Sequence, residues 1–337
     1  MTRVALVYKD FQKIKVGVSH VGLGVSSINT AAVLLENGIN AIAVPVMCFE
    51  DVLLYLSNNK DTTHVAIQAL WVSVKDLETL LTTFPNIKFT CVCHSNIGFL
   101  STEPAAIKLL RDYKAIHEKY WNFAIAGNSE KFIEAWTRMY DVSVKYIPNL
   151  YNLGKRKSYK FTPENEAIKI GCFGAIRPLK NFVSAIAACI DMSVRLNREV
   201  TIFINSGREE GGSVTSRAID ELVAGLTRVK LVKTLWSDHS SFKKIVGEMD
   251  LLIQPSFSES FNMVTADGVS QSVPSVVSDA ITWTPKAWIA KADNVSDIAF
   301  IGIELLKNRS EQIELGRLHL LEYVRNGISH WERWLRS

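Results

Sequence analysis

Cysteine is scarce in this 337-residue chain, and nothing about its placement suggests a covalent framework. The five present, Cys48, Cys91, Cys93, Cys172 and Cys189, are odd in number and form no CxxC pair. A disulfide scaffold or a zinc site is therefore not expected, and buried, reduced thiols are. Long apolar runs are also missing. No stretch approaches the ~20 residues that span a bilayer, and MTRVALVYKD has too short an apolar core for a signal peptide. Charge of one sign is lacking as well. Lys and Arg number 38 against 34 Asp and Glu, a formal net charge of +4, and neither half of the chain is strongly basic. That excludes a domain that grips nucleic acid by charge alone, though not a local patch. There are no repeats or low-complexity tracts. A cytoplasmic protein without a transmembrane segment is the expectation.

What is present is 47% hydrophobic and 21% charged, ordinary globular composition with length for two domains. Short β-branched runs recur at VALVY (4–8), NAIAVPV (40–46), THVAIQ (63–68), IKFTCVC (87–93), WNFAIAG (121–127) and VSVKYIP (142–148). Helix-like segments lie between them. SINTAAVLLENG (27–38) has apolar positions at helical spacing and a closing Gly38, and SVKDLETLLTTF (73–84) opens on a cap-forming Ser73 with Asp76 three residues on. Alternating strands and helices predict right-handed βαβ units and parallel sheets covered on both faces. A basic, polar stretch, YNLGKRKSYKFTPEN (151–165), reads as an interdomain linker. Alternation then resumes with AIKIGCFG (167–174), EVTIFINSG (199–207), VKLVKTL (229–235), DLLIQPS (250–256) and PSVVSD (274–279), and the tail from Asp293 is helical in pattern. The predicted fold class is α/β, two doubly wound Rossmann-like domains joined by one linker.

Ligands of open parallel sheets bind at the carboxyl ends of the strands, and four features fall there. Gly22 and Gly24, in SHVGLGVSSINTAA (19–32), are expected to precede a helix and let backbone amides approach a phosphate or sugar. This is not the dinucleotide fingerprint: the third glycine is missing and the gap from the strand, roughly 15 residues, is too long. His94 closes the fourth strand, where it could donate to an anionic or hydroxylated ligand. In GAIRPLKN (174–181), Arg177 and Lys180 lie three apart where the loop turns into a helix, suited to a diphosphate. Cations there oppose the helix dipole, a local misfit that a ligand would explain.

The fourth feature is PSFSESFNMVTADGVSQSVPSVVSD (255–279). Glu259 and Asp267 stand eight positions apart, one on a loop and one in a helix, separated by about 10 Å. Carboxylates accept hydrogen bonds from vicinal diols. The amides of Phe261 to Val264 between them sit at a helix start that suits an anion. One strand–loop–helix unit thus offers hydroxyl acceptors at both ends and anion donors in the middle.

These residues resemble the retaining nucleotide-sugar glycosyltransferases of the family 4 type, which have the GT-B fold. The family's mark is an acid, seven residues and a second acid in a context like E-G-F-G-L-x-x-x-E-A, with a small-Pro strand following. Here ESFNMVTAD (259–267) and VSQSVPSVVSD (269–279) match in register through Pro274. The resemblance implies that Glu259 holds the donor sugar and Asp267 the ribose, with Ser260, Phe261, Asn262, Met263 and Val264 between them at the donor. GAIRPLKN resembles the family's phosphate loop, which brings in Gly174, Arg177 and Lys180. The family's arginine directly after the glycine is Ala175 here, and Arg177 is its candidate substitute. Asp267 replaces the usual glutamate, and Ser260 and Asn262 the usual glycines. His94 falls where the family has a histidine near the donor sugar. HWERWL (330–335) is like the terminal helix that crosses back to the first domain.

The implied organisation is an acceptor-binding domain over 1–152, with a C-terminal helix over 326–337 packing back on it, and a nucleotide-sugar domain over 153–325. The implied reaction moves a sugar with retention from a nucleotide diphosphate sugar to an acceptor hydroxyl. His94, Arg177, Lys180 and Glu259 form the catalytic set, and Gly22 and Gly24 lie near the donor. No cofactor or metal is expected, since no DxD occurs and basic residues can neutralise the diphosphate. The donor base stays open between uridine, guanosine and adenosine. The acceptor stays open between a glycan, a lipid-linked glycan with peripheral membrane contact, and hydroxymethylated bases of DNA. Basic clusters at Lys155 to Lys160 and at Lys243–Lys244 bear on the last of these. The segment YKDFQKIKVGVSH (8–20) is expected to line the acceptor. A sugar-nucleotide epimerase and a non-catalytic binding protein share the fold and remain alternatives.

Overall fold

The computed structural model describes residues 2–10, 21–159, 162–210 and 212–337. The chain divides into two compact units, Met1–Asn152 with Val324–Ser337, and Leu153–Tyr323.

The first unit holds a six-stranded parallel sheet of β1 (Arg3–Lys9), β2 (Asn40–Val46), β3 (His64–Gln68), β4 (Lys88–Cys93), β5 (Phe123–Gly127) and β6 (Lys145–Tyr146), in the order β2-β1-β3-β4-β5-β6. The helices between them are α1 (Val21–Glu36), α2 (Phe49–Asn58), α3 (Val74–Thr83), α4 (Ile97–Leu100), α5 (Pro104–Lys119) and α6 (Glu130–Tyr140). Val4 to Val7 are all fully buried, as expected of a central strand covered on both faces. Ser73 caps α3 as its sequence predicts: its Oγ accepts from the Asp76 amide at 3.1 Å and donates to the Asp76 carboxylate at 2.7 Å. Phe89, Tyr113, Phe132 and Trp136 fill the core below.

The end of the chain belongs to this unit. Trp331 donates its indole N–H to the Pro148 carbonyl at 2.9 Å, and Trp334 meets the edge of His64 at 5.1 Å. A Cβ at Gly327 would lie 2.6 Å from the Leu150 side chain, so glycine lets the helix approach.

The second unit holds a five-stranded parallel sheet in the order β11-β10-β7-β8-β9, built from β7 (Ile168–Cys172), β8 (Val200–Asn205), β9 (Val229–Thr234), β10 (Leu251–Gln254) and β11 (Ser275–Val277). Its helices are α7 (Phe182–Leu196), α8 (Val214–Val223), α9 (His239–Gly247), α10 (Met263–Ser270), α11 (Val295–Lys307) and the start of α12 (Arg309–Arg336). The terminal helix expected over 326–337 is thus the end of a longer one that starts at Arg309. Buried Asp250, at the amino end of β10, accepts from Arg309 at 2.7 Å and from the Lys169 amide at 2.9 Å. A buried carboxylate so held has its desolvation offset by charge and hydrogen bonds together. Among the described residues no helix is long and apolar enough to cross a membrane.

Candidate active site

The carboxyl ends of β7 and β10, neighbours in the second sheet, bring the two motifs of this unit together. After β7 the chain turns at Gly174, whose φ of 125° suits glycine and whose amide donates to Asn205 Oδ1 at 2.9 Å. A 3-10 turn over Pro178–Lys180 follows, then Asn181 in the left-handed region at φ 57°. Asn181 Nδ2 donates to the Pro255 carbonyl at 3.0 Å and the Ala292 carbonyl at 2.5 Å, and the Phe257 amide donates to the Leu179 carbonyl at 2.9 Å. These bonds hold the loop after β7 to the loop after β10.

Lys180 and Glu259 meet across that junction. Lys180 Nζ donates to Glu259 Oε1, with the two side chains only 12% and 9% exposed. The same oxygen accepts from Ser256 Oγ at 3.0 Å and from Asn262 Nδ2 at 3.2 Å. Asn262 does more than hold Glu259. It caps α10, its Oδ1 accepting from the Thr265 amide at 2.9 Å, and its backbone is left-handed at φ 63°. Asparagine is among the side chains that tolerate that conformation best.

The rest of the 259–267 segment is anchored from behind. Phe261 is buried, stacked on Trp283 at 5.5 Å, and its carbonyl accepts from the Trp283 indole at 2.6 Å. Its side chain belongs to the core, leaving its backbone to face the loop. Ser260 is the loop residue beside Glu259, and Met263 and Val264 open α10. Asp267 lies on the fifth residue of α10, its side chain 2% exposed, with Oδ1 2.8 Å from Nε2 of His239.

Arg177 sits elsewhere in the cluster. It bonds Glu210 Oε2 at 2.9 Å, and Arg208 bonds the other oxygen at 2.5 Å while its guanidinium lies 5.5 Å from the Trp236 ring centre. Burial pushes the Glu210 carboxyl up, but Arg177 and Arg208 outweigh it and hold it below the usual carboxylate range. Arg177 and Lys180, three apart in sequence, therefore engage different carboxylates. Sequence reading missed Asn181, Arg208, Glu210 and His239. Only Asn181 carried a local signal, an asparagine just ahead of a helix.

In the first unit His94 follows β4 as predicted, but both ring nitrogens are engaged. Nε2 donates to Gln68 Oε1 at 2.9 Å, and Nδ1 accepts from Asn128 Nδ2 at 3.1 Å, a pattern that assigns the Nε2–H tautomer. Burial lowers its pKa to about 4. Neutral His94 therefore binds its neighbours rather than offering an open donor. Ala69, next to Gln68, carries a φ of 71°, unusual for alanine. The expectation of a glycine loop ahead of the first helix is corrected. Gly22 and Gly24 lie inside the opening turns of α1, and a Cβ at Gly24 would come within 3.0 Å of the Tyr8 ring. A larger residue at Gly24 would crowd the Tyr8 ring of β1, so glycine suits the packing of α1 there. From the segment 8–20, residues 11–20 lie outside the described residues, as does Lys160 of the basic cluster. Among the described residues no group of three or more His, Cys, Asp or Glu is arranged to hold a metal ion.

No protein-family model matches the sequence, and no curated protein does. Solved structures do. Sucrose-phosphate synthase from Thermosynechococcus elongatus superposes with a TM-score of 0.66 at 14% identity, over 99% of this chain and 98% of that one. HepE from Anabaena, in complex with UDP-glucose, gives 0.61 at 13% identity over 98% and 99%. A TarM mutant from S. aureus, holding alpha-GlcNAc-glycerol and UDP, gives 0.62 at 16% identity over 85% of this chain; the match spans 58% of TarM. The fold is thus that of the GT-B glycosyltransferases, two Rossmann-like α/β domains with a C-terminal helix.

Proposed function

We propose that the protein is a glycosyltransferase that takes a sugar from a nucleotide diphosphate sugar and passes it, with retention, to an acceptor hydroxyl. The observation that carries this reading is the Lys180–Glu259 pair at the carboxyl ends of β7 and β10, braced by Ser256 and Asn262. A lysine and a carboxylate locked together at that edge offer a cation to a diphosphate and an acceptor to sugar hydroxyls. In this reading Lys180, the Arg177–Arg208 pair and the amides at the start of α10 stabilise the charge that grows on the leaving diphosphate. Differential stabilisation of this kind lowers the barrier more than it tightens ground-state binding. These cations also serve the role that a metal would serve, so the reaction is read as metal-independent. Glu259 holds the donor sugar, and the ribose end lies at Asp267. Gly174 keeps the backbone close to the diphosphate. His94, buried and neutral, is read as a positioning group of the first unit. The free cysteines Cys91, Cys93, Cys172 and Cys189 are buried and Cys48 is exposed, which fits a reducing, cytoplasmic compartment.

The test is incubation with UDP-, GDP- and ADP-sugars, with and without candidate acceptors, followed by separation of products. Release of nucleoside diphosphate with a new glycoside of unchanged anomeric configuration, read by NMR, supports the proposal. An isomerised donor formed without an acceptor supports an epimerase instead.

A further inference from the structure

The Asp267–His239 pair suggests how the ribose end of the donor is held, an inference that rests on the donor reading above. Asp267 is buried in the middle of α10, and that helix is pressed on the sheet: a Cβ at Gly268 would lie 2.6 Å from Leu252 Cδ1 and 3.0 Å from the Val273 carbonyl. An aspartate there, one methylene shorter than a glutamate, has little reach outward. Its partner differs. His239 is the first residue of α9, following the N-cap Asp238, whose carboxylate accepts from the Ser240 and Ser241 amides at 3.0 Å each. The cap fixes where the helix starts and hence where the imidazole points. The ring is 26% exposed against 2% for the Asp267 side chain, so the imidazole is the member of the pair that reaches solvent.

The hydrogen bond sets the chemistry of the ring. With Nε2–H donated to Asp267 Oδ1 at 2.8 Å, neutral His239 carries its lone pair on Nδ1. That nitrogen has no partner among the described residues. We propose that His239 Nδ1, rather than the Asp267 carboxylate, accepts a hydrogen bond from a ribose hydroxyl of the nucleotide, and that Asp267 is the positioning residue that fixes the ring and its tautomer. The imidazole fills the distance left by the shorter acid. One carboxylate–imidazole unit does what a single longer carboxylate would do.

The experiment measures the affinity of UDP, GDP and ADP, each against its 2′,3′-dideoxy analogue, for the wild-type protein and for His239→Ala, His239→Gln and Asp267→Asn. The wild type is expected to favour the ribose form of its preferred nucleotide about tenfold, the value of one good hydrogen bond. In His239→Ala the two forms bind alike. His239→Gln, whose amide can donate to Asp267 and turn its oxygen outward, restores part of the preference. Asp267→Asn lowers the preference, and the 15N shifts of His239 move away from a pure Nε2–H tautomer, a signature that a merely structural role would not produce. His239→Phe keeps the ring volume and replaces His239→Ala should that variant not fold. An unchanged preference in the folded His239 variants overturns this inference alone. Failure of the wild type to bind any of the nucleotides overturns the donor reading itself.

Discussion

Lys180 and Glu259 are 79 positions apart in sequence and joined in space, the Lys180 ammonium donating to a carboxylate oxygen that also accepts from Ser256 and Asn262. Both side chains are nearly buried, so the pair is exposed to the cost of losing either partner. Removing one member of a buried pair destabilises by about 3–5 kcal/mol, because the other charge is left uncompensated. Lys180→Met and Glu259→Gln should each lower stability towards that range, and the double variant should lose clearly less than their sum. Urea unfolding of the four proteins in a double-mutant cycle measures the difference.

Asn262 combines a backbone role with a side-chain role, and two substitutions separate them. Asn262→Gly keeps the left-handed backbone, and its lost cap costs only a few tenths of a kcal/mol on top of about 1.5–3 kcal/mol for the lost bond to nearly buried Glu259. Asn262→Ala loses the same bond and the cap and meets the left-handed conformation with a Cβ, so it should be less stable than Asn262→Gly by about 1–2 kcal/mol. Both lose the bond to Glu259, so glycosyl transfer should fall to a similar degree in each. Chemical denaturation alongside turnover distinguishes the two effects.

His94 and His64 both have pKa values lowered to about 4, in each case chiefly by burial, against an ordinary 6.5 in the unfolded chain. The unfolded state therefore binds more protons between these values. Their contribution to stability is complete above pH 6.5 and is lost as the pH falls towards 4. Thermal unfolding followed from pH 7 to pH 4 should show this loss, and His94→Gln should remove the share that belongs to His94.

The cysteines give a chemical check on burial. Cys91 and Cys93 are pushed up to about 12 by burial, and Cys172 and Cys189 are also buried, whereas Cys48 is exposed. A thiol reagent at pH 8 should modify one cysteine in the native protein and five after unfolding. Fast native modification of more than one would contradict the packing of β4, β7 and α7.

Much of the fold was legible because it is written in local pattern. Of the eleven strands among the described residues, ten lie within the β-branched runs that periodicity picks out and β1 extends VALVY by one residue at each end, and the Ser73 cap forms as its spacing requires. Sequence pattern places Lys180 and Glu259 each at a strand end, but their direct contact becomes visible only with the sheet order that makes β7 and β10 neighbours. What local pattern does not encode is pairing at a distance. Nothing around Arg177 announces that Glu210 will bind it, or that Arg208 will share the same carboxylate. His239 gives no signal in SDHSSF, because its role depends on a helix that begins two dozen residues later. Gly22 and Gly24 misled for a different reason: glycine marks loops, yet both lie in α1, where Gly24 packs against the Tyr8 ring and Gly22 has open space beside it.

The most direct test of the account is calorimetric titration of UDP-, GDP- and ADP-sugars into the wild-type protein, Lys180→Ala and Glu259→Gln, with native folding checked by circular dichroism. The account predicts that one donor binds the wild type, that Lys180→Ala weakens both this donor and its free nucleoside diphosphate, and that Glu259→Gln weakens the sugar-bearing donor while leaving the free diphosphate nearly unchanged. Equal binding by all three proteins, or no binding by the wild type, would contradict it.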